Sequence, residues 1–420
     1  MKRRGLLKGV IGLGAAAGAG YWWLHRSWDG YLLNPCQSPL PQHIQNSELW
    51  KTIWKGINPS LMLDGHVHIA GTGDSAKIGP NKGQPSIWAN PKMETWSHPW
   101  QHLQYNFYMN AACAEIQEAG QTVDNLYVER LLSLVNDMPQ GVKLALLAFD
   151  YHHNEYGQAV PDSSTFYVPN EYAQKIAAQY PERFEWAASV HPYRKDALQQ
   201  LEKAVEAGAV GVKWLPPAQN IDPASAKCDD FYKLMAKHNL TLICHTGEEK
   251  AVEGSDTQKF GNALRLRRAL DHGVKVVVSH CASLGHDVDM DNNNKPTSHF
   301  ELFTRMMADK QYEGLLFGDI SATTQINRDP QVLKTLLSET SWNHRLVNCS
   351  DYPIPSVMPL ISLKRLVKHE LLDDKWREPL NELREYNAIL FDFAVKRLLS
   401  YKGQRFAESI FETLKVYRTD

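Results

Sequence analysis

The chain has 420 residues, of which 43% are hydrophobic and 22% are charged, and this is the composition of a globular protein. Its formal net charge of −2 gives no support for nucleic-acid binding, and six cysteines at this length exclude a disulfide-rich scaffold. The length exceeds that of an average domain, but a single α/β barrel can account for most of it.

Residues 1–24 are predicted to be an export signal. Met1–Lys8 carries two arginines ahead of two leucines and a lysine, and a weakly apolar stretch rich in Gly and Ala follows. This order resembles a twin-arginine signal, which would bring the folded chain to the twin-arginine export machinery and the periplasm. An uncleaved Leu6–Leu24 would be just long enough to anchor the protein in the inner membrane. Residues 25–55 are expected to form a linker.

Residues 56–401 alternate between strand-like runs and helical patterns. Strands that alternate with helices indicate a parallel sheet, and eight such units favour a closed (β/α)₈ TIM barrel. The alternative is an open doubly wound sheet, although no Gly-x-Gly-x-x-Gly follows the first strand. Long loops are expected after strands 1 and 2, and residues 402–420 are expected to be a C-terminal extension. The eight strands are predicted to start at Leu61, Lys143, Phe184, Gly208, Leu240, Val274, Glu313 and Leu346.

The first strand ends in His-Val-His. Side chains two residues apart point to the same face of a strand, so His66 and His68 would project together and form half of a metal site. The alternative is a strand that carries one of them on the surface. His245, His280 and Asp351 also follow predicted strands, at the end of a barrel where active sites are built. Three histidines and a carboxylate suit zinc, which would activate a water molecule as nucleophile.

As a set, these motifs resemble the amidohydrolase superfamily. Ser350-Asp351-Tyr352-Pro353 and Gly211-Val212-Lys213 resemble its amidohydrolase-2 branch, which includes metal-dependent hydrolases and decarboxylases of the aminocarboxymuconate-semialdehyde type. The resemblance implies catalytic roles for Asp351 and for His280, which would be a general acid/base or would polarise the substrate. It also implies one divalent ion, expected to be Zn²⁺, held by His66, His68, His245 and Asp351.

Three further residues are predicted to bind the substrate: Lys213, His191 and Asp150. In binuclear relatives a strand-four Lys is carboxylated and bridges two metals, whereas in the amidohydrolase-2 branch it is a substrate-carboxylate or structural group. The branch often has a His shortly after this Lys, but here Trp214-Leu215-Pro216 follows. For His191 and Asp150 the alternative is a solvated loop group or a helix cap.

Two enzymatic functions and one non-enzymatic function follow from these residues. The first is a metal-dependent hydrolase in which activated water attacks a small-molecule substrate. The second is a metal-dependent decarboxylase on the same site, where the metal and Lys213 would hold a carboxylated substrate. The third is a binding or scaffold protein, against which the full ligand set argues.

The cysteines fall into two groups. Cys36 and Cys113 are a candidate disulfide pair for an oxidising compartment. Cys244, Cys281 and Cys349 each adjoin a predicted site residue, and strand alternation is expected to turn them away from it into the layer between barrel and helices.

Overall fold

The computed structural model describes residues 33–78, 82–94, 99–250, 252 and 255–418. The predicted export signal lies outside these described residues. Within them, no helix combines the length and the apolar character needed to span a bilayer.

Eight parallel strands close into a barrel, as the α/β pattern of the sequence predicts. β1 to β3 form one ladder and β4 to β8 another. Parallel bridges from Ala188 to Val212 and from Val67 to Tyr352 join the two ladders into a cylinder. Each strand begins within three residues of its predicted start. The strands are β1 (Leu63–His68), β2 (Lys143–Leu147), β3 (Phe184–Ala187), β4 (Gly211–Trp214), β5 (Thr241–Cys244), β6 (Val276–Val278), β7 (Leu316–Asp319) and β8 (Leu346–Val347).

Helices surround the barrel, and several begin at a side-chain cap that the sequence supplies. Thr122 accepts a hydrogen bond from the amide of Asn125, and Asp329 precedes a proline at the first helical position. The helices are α1 (Gln42–Gln45), α2 (Glu48–Trp54), α3 (Pro99–Ala111), α4 (Val123–Asn136), α5 (Asn170–Gln179), α6 (Ala197–Glu206), α7 (Pro216–Gln219), α8 (Asp229–Lys237), α9 (Arg267–Asp271), α10 (His299–Ala308), α11 (Pro330–Ser338), α12 (Leu363–Lys368), α13 (Arg377–Tyr386), α14 (Ala388–Leu398) and α15 (Leu414–Tyr417).

The two long loops after β1 and β2 meet each other. Trp88–Ala89 from the first loop pairs antiparallel with Phe166–Tyr167 from the second. The ring of Trp88 lies 5.5 Å from that of Tyr151, so aromatic contacts accompany this pairing. The loops therefore form a joint wall beside the carboxyl ends of β1 and β2.

The described part of the predicted linker differs from expectation, because it is packed against the barrel. Residues 42–54 form α1 and α2, and Ile44, Leu49 and Ile53 are buried. The ring of Trp54 lies 4.7 Å from that of Phe393 on α14. Leu49 and Ile53 are four residues apart on one face of α2, and this spacing supplies the apolar stripe that docks.

A disulfide fastens the start of this segment to the barrel. Cys36 and Cys113 are bonded, with their Cα atoms 5.7 Å apart, so the predicted pairing is confirmed. The three cysteines beside the site are all buried, and Cys244 and Cys281 lie in the layer against the helices, as predicted. For Cys349 the prediction was wrong, because it lies in the apolar cluster inside the barrel.

The C-terminal segment closes the amino-terminal end of the barrel. Tyr417 on α15 is buried in the same inner cluster, and its hydroxyl lies 3.5 Å from Cys349 Sγ. A Cβ atom at Gly65 would lie 2.2 Å from the ring of Tyr417, so glycine at this position makes room for the ring. The Thr241 hydroxyl at the start of β5 donates to the Val416 carbonyl at 2.8 Å. The predicted extension is therefore part of the barrel core.

Replacing Tyr417 with Ala is expected to lower the free energy of unfolding by about 3–5 kcal/mol, because it leaves a cavity in the barrel interior. Chemical denaturation measures this change. Tyr156, which is 71% exposed, is the matched control, and its replacement with Ala should change the free energy of unfolding by less than about 0.5 kcal/mol. Equal losses for the two variants would contradict a structural role for α15.

Candidate active site

Three ligand atoms from the ends of β1 and β8 face one another. His66 Nε2 lies 3.2 Å from His68 Nε2 and 3.3 Å from Asp351 Oδ1, and His68 Nε2 lies 3.4 Å from the same oxygen. Atoms bound tetrahedrally at the usual zinc distances are about 3.3 Å apart, so the three separations match the edges of such a site. The structure brings together the His pair and the carboxylate that the sequence predicts.

The backbone holds these side chains in place. The pairing of β1 with β2 shifts register between Asp64 and Val67, and such irregularities turn side chains toward a site. Asp64 Oδ1 accepts hydrogen bonds from the amides of His66 and Ser350, at 3.2 and 3.0 Å, and so ties β1 to the segment after β8. Asp351 itself has a φ of 61°, a left-handed conformation that is uncommon for non-glycine residues and that Asp tolerates better than most.

Asp319, at the end of β7, orients two of the histidines. Its Oδ2 accepts from His66 Nδ1 at 2.8 Å and from the Ser321 hydroxyl at 2.7 Å. Because that hydroxyl uses its hydrogen on Asp319, its oxygen accepts from His280 Nδ1, 2.8 Å away. The Nε2 atoms of His66 and His280 therefore carry lone pairs and not hydrogens. Asp319 ends its strand, as several other polar residues do, and no sequence pattern points to Ser321.

His280 belongs to the group of possible metal ligands, whereas His245 lies next to that group. Ligand atoms of His66, His280 and Asp351 all lie within 4.8 Å of one another, so this group could hold a metal ion. His245 is not part of that group, and its Nε2 lies 3.2 Å from Glu249 Oε2 instead. Its ring centroid is 5.3 Å from that of His280, so its role as a ligand stays a prediction. Glu249 was not singled out from the sequence.

Lys213 is buried beside the ligand atoms. Its Nζ lies 2.7 Å from His66 Nε2 and 3.4 Å from the Ser279 hydroxyl. Burial lowers the pKa of Lys213, while the charges of Asp351 and Asp319 act in the opposite direction. The amine therefore lies at the centre of the site, within reach of a substrate group next to the ligands.

Asp150 and His191 form hydrogen bonds with neighbouring loops and do not face the ligand set. Asp150 Oδ2 accepts from the amide of His191 at 2.9 Å and from Arg194 Nη1 at 3.1 Å, and His191 Nε2 contacts the carbonyl of Gln219 at 2.9 Å. Both residues are buried, and neither lines the cavity that contains the ligand set. Their polar atoms stabilise the turns after β2, β3 and β4, so the structure does not support their predicted contact with substrate.

Residues 95–380, which are 286 of the 420 residues, match the family model described as Amidohydrolase. The chain belongs to this amidohydrolase family. The matched range contains His245, His280 and Asp351 but begins after the His66–His68 pair. The protein is thus an enzyme of the amidohydrolase type. The His66, His68 and Asp351 group lies at the carboxyl ends of the strands, the edge where barrels of this kind build active sites.

Several solved structures are similar to this amidohydrolase at low sequence identity. An uncharacterised TIM-barrel protein from Bordetella bronchiseptica is 13% identical over 73% of this chain and 98% of its own, with a TM-score of 0.42. A putative 2-pyrone-4,6-dicarboxylic acid hydrolase from Pseudomonas putida is 13% identical over 79% and 97%, with a TM-score of 0.39. A 2,6-dihydroxybenzoate decarboxylase is 13% identical over 74% and 98%, with a TM-score of 0.37. No curated protein matches the chain.

Burial sets the protonation of the amidohydrolase ligands. It lowers the pKa of His68 to about 3 and holds the pKa values of His66, His245 and His280 well below the usual range. These imidazoles are therefore neutral at pH 7, the form that binds metals. Burial also raises the pKa of Asp351 to about 8, against the opposing charge of Lys213.

Metal affinity is therefore expected to depend on pH through one proton. A metal ion on Asp351 would require its ionised carboxylate, so the dissociation constant for zinc should fall roughly tenfold per pH unit from about pH 6 to about pH 8 and then level off. Competition against a zinc-binding dye measures this slope. An Asp351→Asn variant should show little slope, and an unchanged slope in that variant would contradict the assignment.

A cavity of about 270 Å³ opens onto the ligand set, which is a volume suited to a small molecule. Tyr108 on α3 and Phe166 from the loop after β2 contribute to its wall, so the long loops shape the site. Leu215, Leu284 and Leu360 add apolar surface from other strand ends. The cavity surface is therefore mostly apolar, and its charged side chains include Glu248, Lys250 and Arg328 as well as the ligand set.

Proposed function

We propose that this amidohydrolase is a zinc-dependent hydrolase of a small molecule with an ester, lactone or amide bond. The observation that supports it most is the spacing of His66 Nε2, His68 Nε2 and Asp351 Oδ1, at 3.2 to 3.4 Å from one another. Two imidazole nitrogens this close, next to a carboxylate, need a shared proton or a shared cation. Imidazole nitrogens and a carboxylate oxygen are ligands that zinc binds well.

A zinc ion at this position would lower the pKa of a water molecule and polarise the scissile carbonyl. Asp351 would take the proton of the attacking water. Its Oδ2 lies 3.9 Å from His280 Nε2, so that proton could pass on to His280 and then to the leaving group. Lys213 would donate a hydrogen bond to a substrate oxygen beside the ligands.

The second candidate is a metal-dependent decarboxylase that uses the same residues. The buried amine of Lys213, 2.7 Å from His66 Nε2, favours it, because an ammonium at this place could hold a carboxylate against the metal. This reaction would release CO₂ and would incorporate no oxygen from water.

Turnover in ¹⁸O-labelled water separates the two candidates. The zinc-loaded enzyme is offered a panel of esters, lactones, amides and aromatic carboxylates, with and without a chelator. We expect chelator-sensitive hydrolysis that zinc restores, with one labelled oxygen in the product. Release of CO₂ without label would support the decarboxylase, and activity that survives complete metal removal would refute both candidates.

We also propose that the enzyme is exported in the folded state to the periplasm through the twin-arginine machinery. The Arg3-Arg4 pair supports this, and so does the Cys36–Cys113 disulfide, since disulfides persist in oxidising compartments. Fractionation of cells with wild-type protein and with an Arg3→Lys/Arg4→Lys variant tests it. The variant should stay in the cytoplasm, and mass spectrometry of the exported protein would distinguish a cleaved signal from a membrane anchor.

A further inference from the structure

Arg328 is a buried cation on the wall of the active-site cavity that the catalytic roles above do not use. It follows β7 in the chain and is 8% exposed. It lines the same cavity as Asp351, Lys213 and His245. The sequence did not mark it, because it lies nine residues beyond the end of its strand.

Its position is fixed on one side only. Nε donates to the Ser283 hydroxyl at 3.0 Å, and the backbone carbonyl of Arg328 accepts from Arg365 Nη2 at 2.7 Å. Nη1 is buried and has no hydrogen-bond partner among the described residues. The guanidinium is therefore positioned through Nε, while Nη1 still lacks a hydrogen-bond acceptor.

An unpartnered buried donor is costly, and more so on a charged group. Burial lowers the pKa of Arg328 to about 10, and the charges of Asp351, Glu249 and Glu248 favour its charged form. The guanidinium is thus cationic at pH 7. Arg345 has unpartnered nitrogens too, but it does not line the cavity. His245 Nε2 lines the cavity and also has no hydrogen-bond partner among the described residues, but it belongs to a neutral imidazole, so of these groups Arg328 is the charged donor that a substrate could satisfy.

We propose that Arg328 binds an anionic group of the substrate, a carboxylate, at the end of the molecule away from the scissile bond. This inference rests on the proposed hydrolase function and names its substrate class. The planar guanidinium pairs with both oxygens of a carboxylate, and the apolar side chains Leu215, Leu284 and Leu360 would contact the carbon chain between the two ends. The substrate is then a small carboxylic acid that also bears an ester, lactone or amide.

Two esters with the same three-carbon chain beyond the ester carbonyl test the proposal in the zinc-loaded full-length enzyme. Mono-4-nitrophenyl glutarate carries a terminal carboxylate, and 4-nitrophenyl butyrate lacks it. Arg328→Gln should raise the KM for the glutarate ester roughly 10- to 100-fold and change the KM for the butyrate ester by less than about twofold. Arg328→Lys should recover part of the loss. The control, Arg345→Gln, removes another buried guanidinium and should not change the ratio of the two KM values.

A binding measurement gives a result without turnover. Calorimetry with butyrate, its neutral amide, propylsulfonate and propylphosphonate compares the wild type with Arg328→Gln. Butyrate should bind more tightly than the other three, and Arg328→Gln should weaken it roughly 10-fold or more. An anion held only by zinc would bind both proteins equally and overturn the proposal, and preference for the sulfonate or phosphonate would overturn the carboxylate assignment.

The failures of the two proposals are distinguishable. If both esters are hydrolysed with zinc but Arg328→Gln affects them equally, the inference about Arg328 is wrong and the hydrolase function stands. If no ester, lactone or amide of the panel is hydrolysed but butyrate binding depends on Arg328, the hydrolase function fails and the anion site stands.

Discussion

Replacing Asp351 with Asn is expected to lower kcat/KM by about 1,000-fold, because this removes the carboxylate that takes the proton of the attacking water. The amide still has an oxygen that can face the ligand set, so part of the metal affinity should remain. Steady-state kinetics at saturating zinc, together with the metal content of the variant, measures the two effects separately.

Asp309→Asn is the matched control for this substitution. Asp309 is exposed, lies outside the cavity and caps a turn through its side chain, a role that Asn also fills. Its kcat/KM should equal that of the wild type. If Asp351→Asn loses less than about tenfold, a group other than Asp351 removes the proton.

Replacing His66 with Ala is expected to reduce bound zinc from about one per chain to less than about a tenth, with loss of measurable activity. His66 Nε2 is the atom on which the site converges, at 3.2 Å from His68, 3.3 Å from Asp351 and 2.7 Å from Lys213. Elemental analysis after dialysis against zinc-free buffer measures the loss.

His43→Ala provides the comparison for His66→Ala. The His43 side chain is 65% exposed and contacts Glu382 on the surface. This variant should keep its zinc and its activity. Retention of a full equivalent of zinc by the His66→Ala protein would mean that the ion binds elsewhere in the chain.

The barrel and the edge that carries the site could be predicted from the sequence, because both depend on periodic patterns. Alternation of strands and helices gives the order of β1 to β8, and the His-Val-His motif places two side chains on one face of β1. Strand ends then bring His280 and Asp351 to the same edge. These patterns predict which edge of the barrel carries the site. They do not predict the direction in which each side chain at that edge points.

That difference accounts for the predicted residues whose polar atoms contact other groups and for the residues that were missed. Asp150 and His191 also follow strands, but their polar atoms bind neighbouring backbone and Arg194. His245 turns toward Glu249, a partner only four residues away that a strand-based pattern does not consider. Arg328 lies deep in a loop, where sequence position says little about burial.

Contacts between parts of the chain that are far apart in sequence could not be predicted either. The ring of Tyr417 fills the space left by the missing side chain of Gly65, more than 350 residues earlier in the sequence. Nothing local to α15 indicates that it closes the barrel. The prolines at 35, 39 and 41 predict a linker over residues 25–55, and the short helix α2 within it packs through contacts such as that of Trp54 with Phe393, which is far away in the sequence.

Anomalous diffraction from zinc-loaded crystals tests the shared ligand shell most directly. We predict a single zinc peak about 2.0–2.2 Å from His66 Nε2, His68 Nε2 and Asp351 Oδ1. A zinc peak that lies out of reach of these three atoms, or no peak at full zinc loading, would contradict a metal-dependent active site at the ends of β1 and β8.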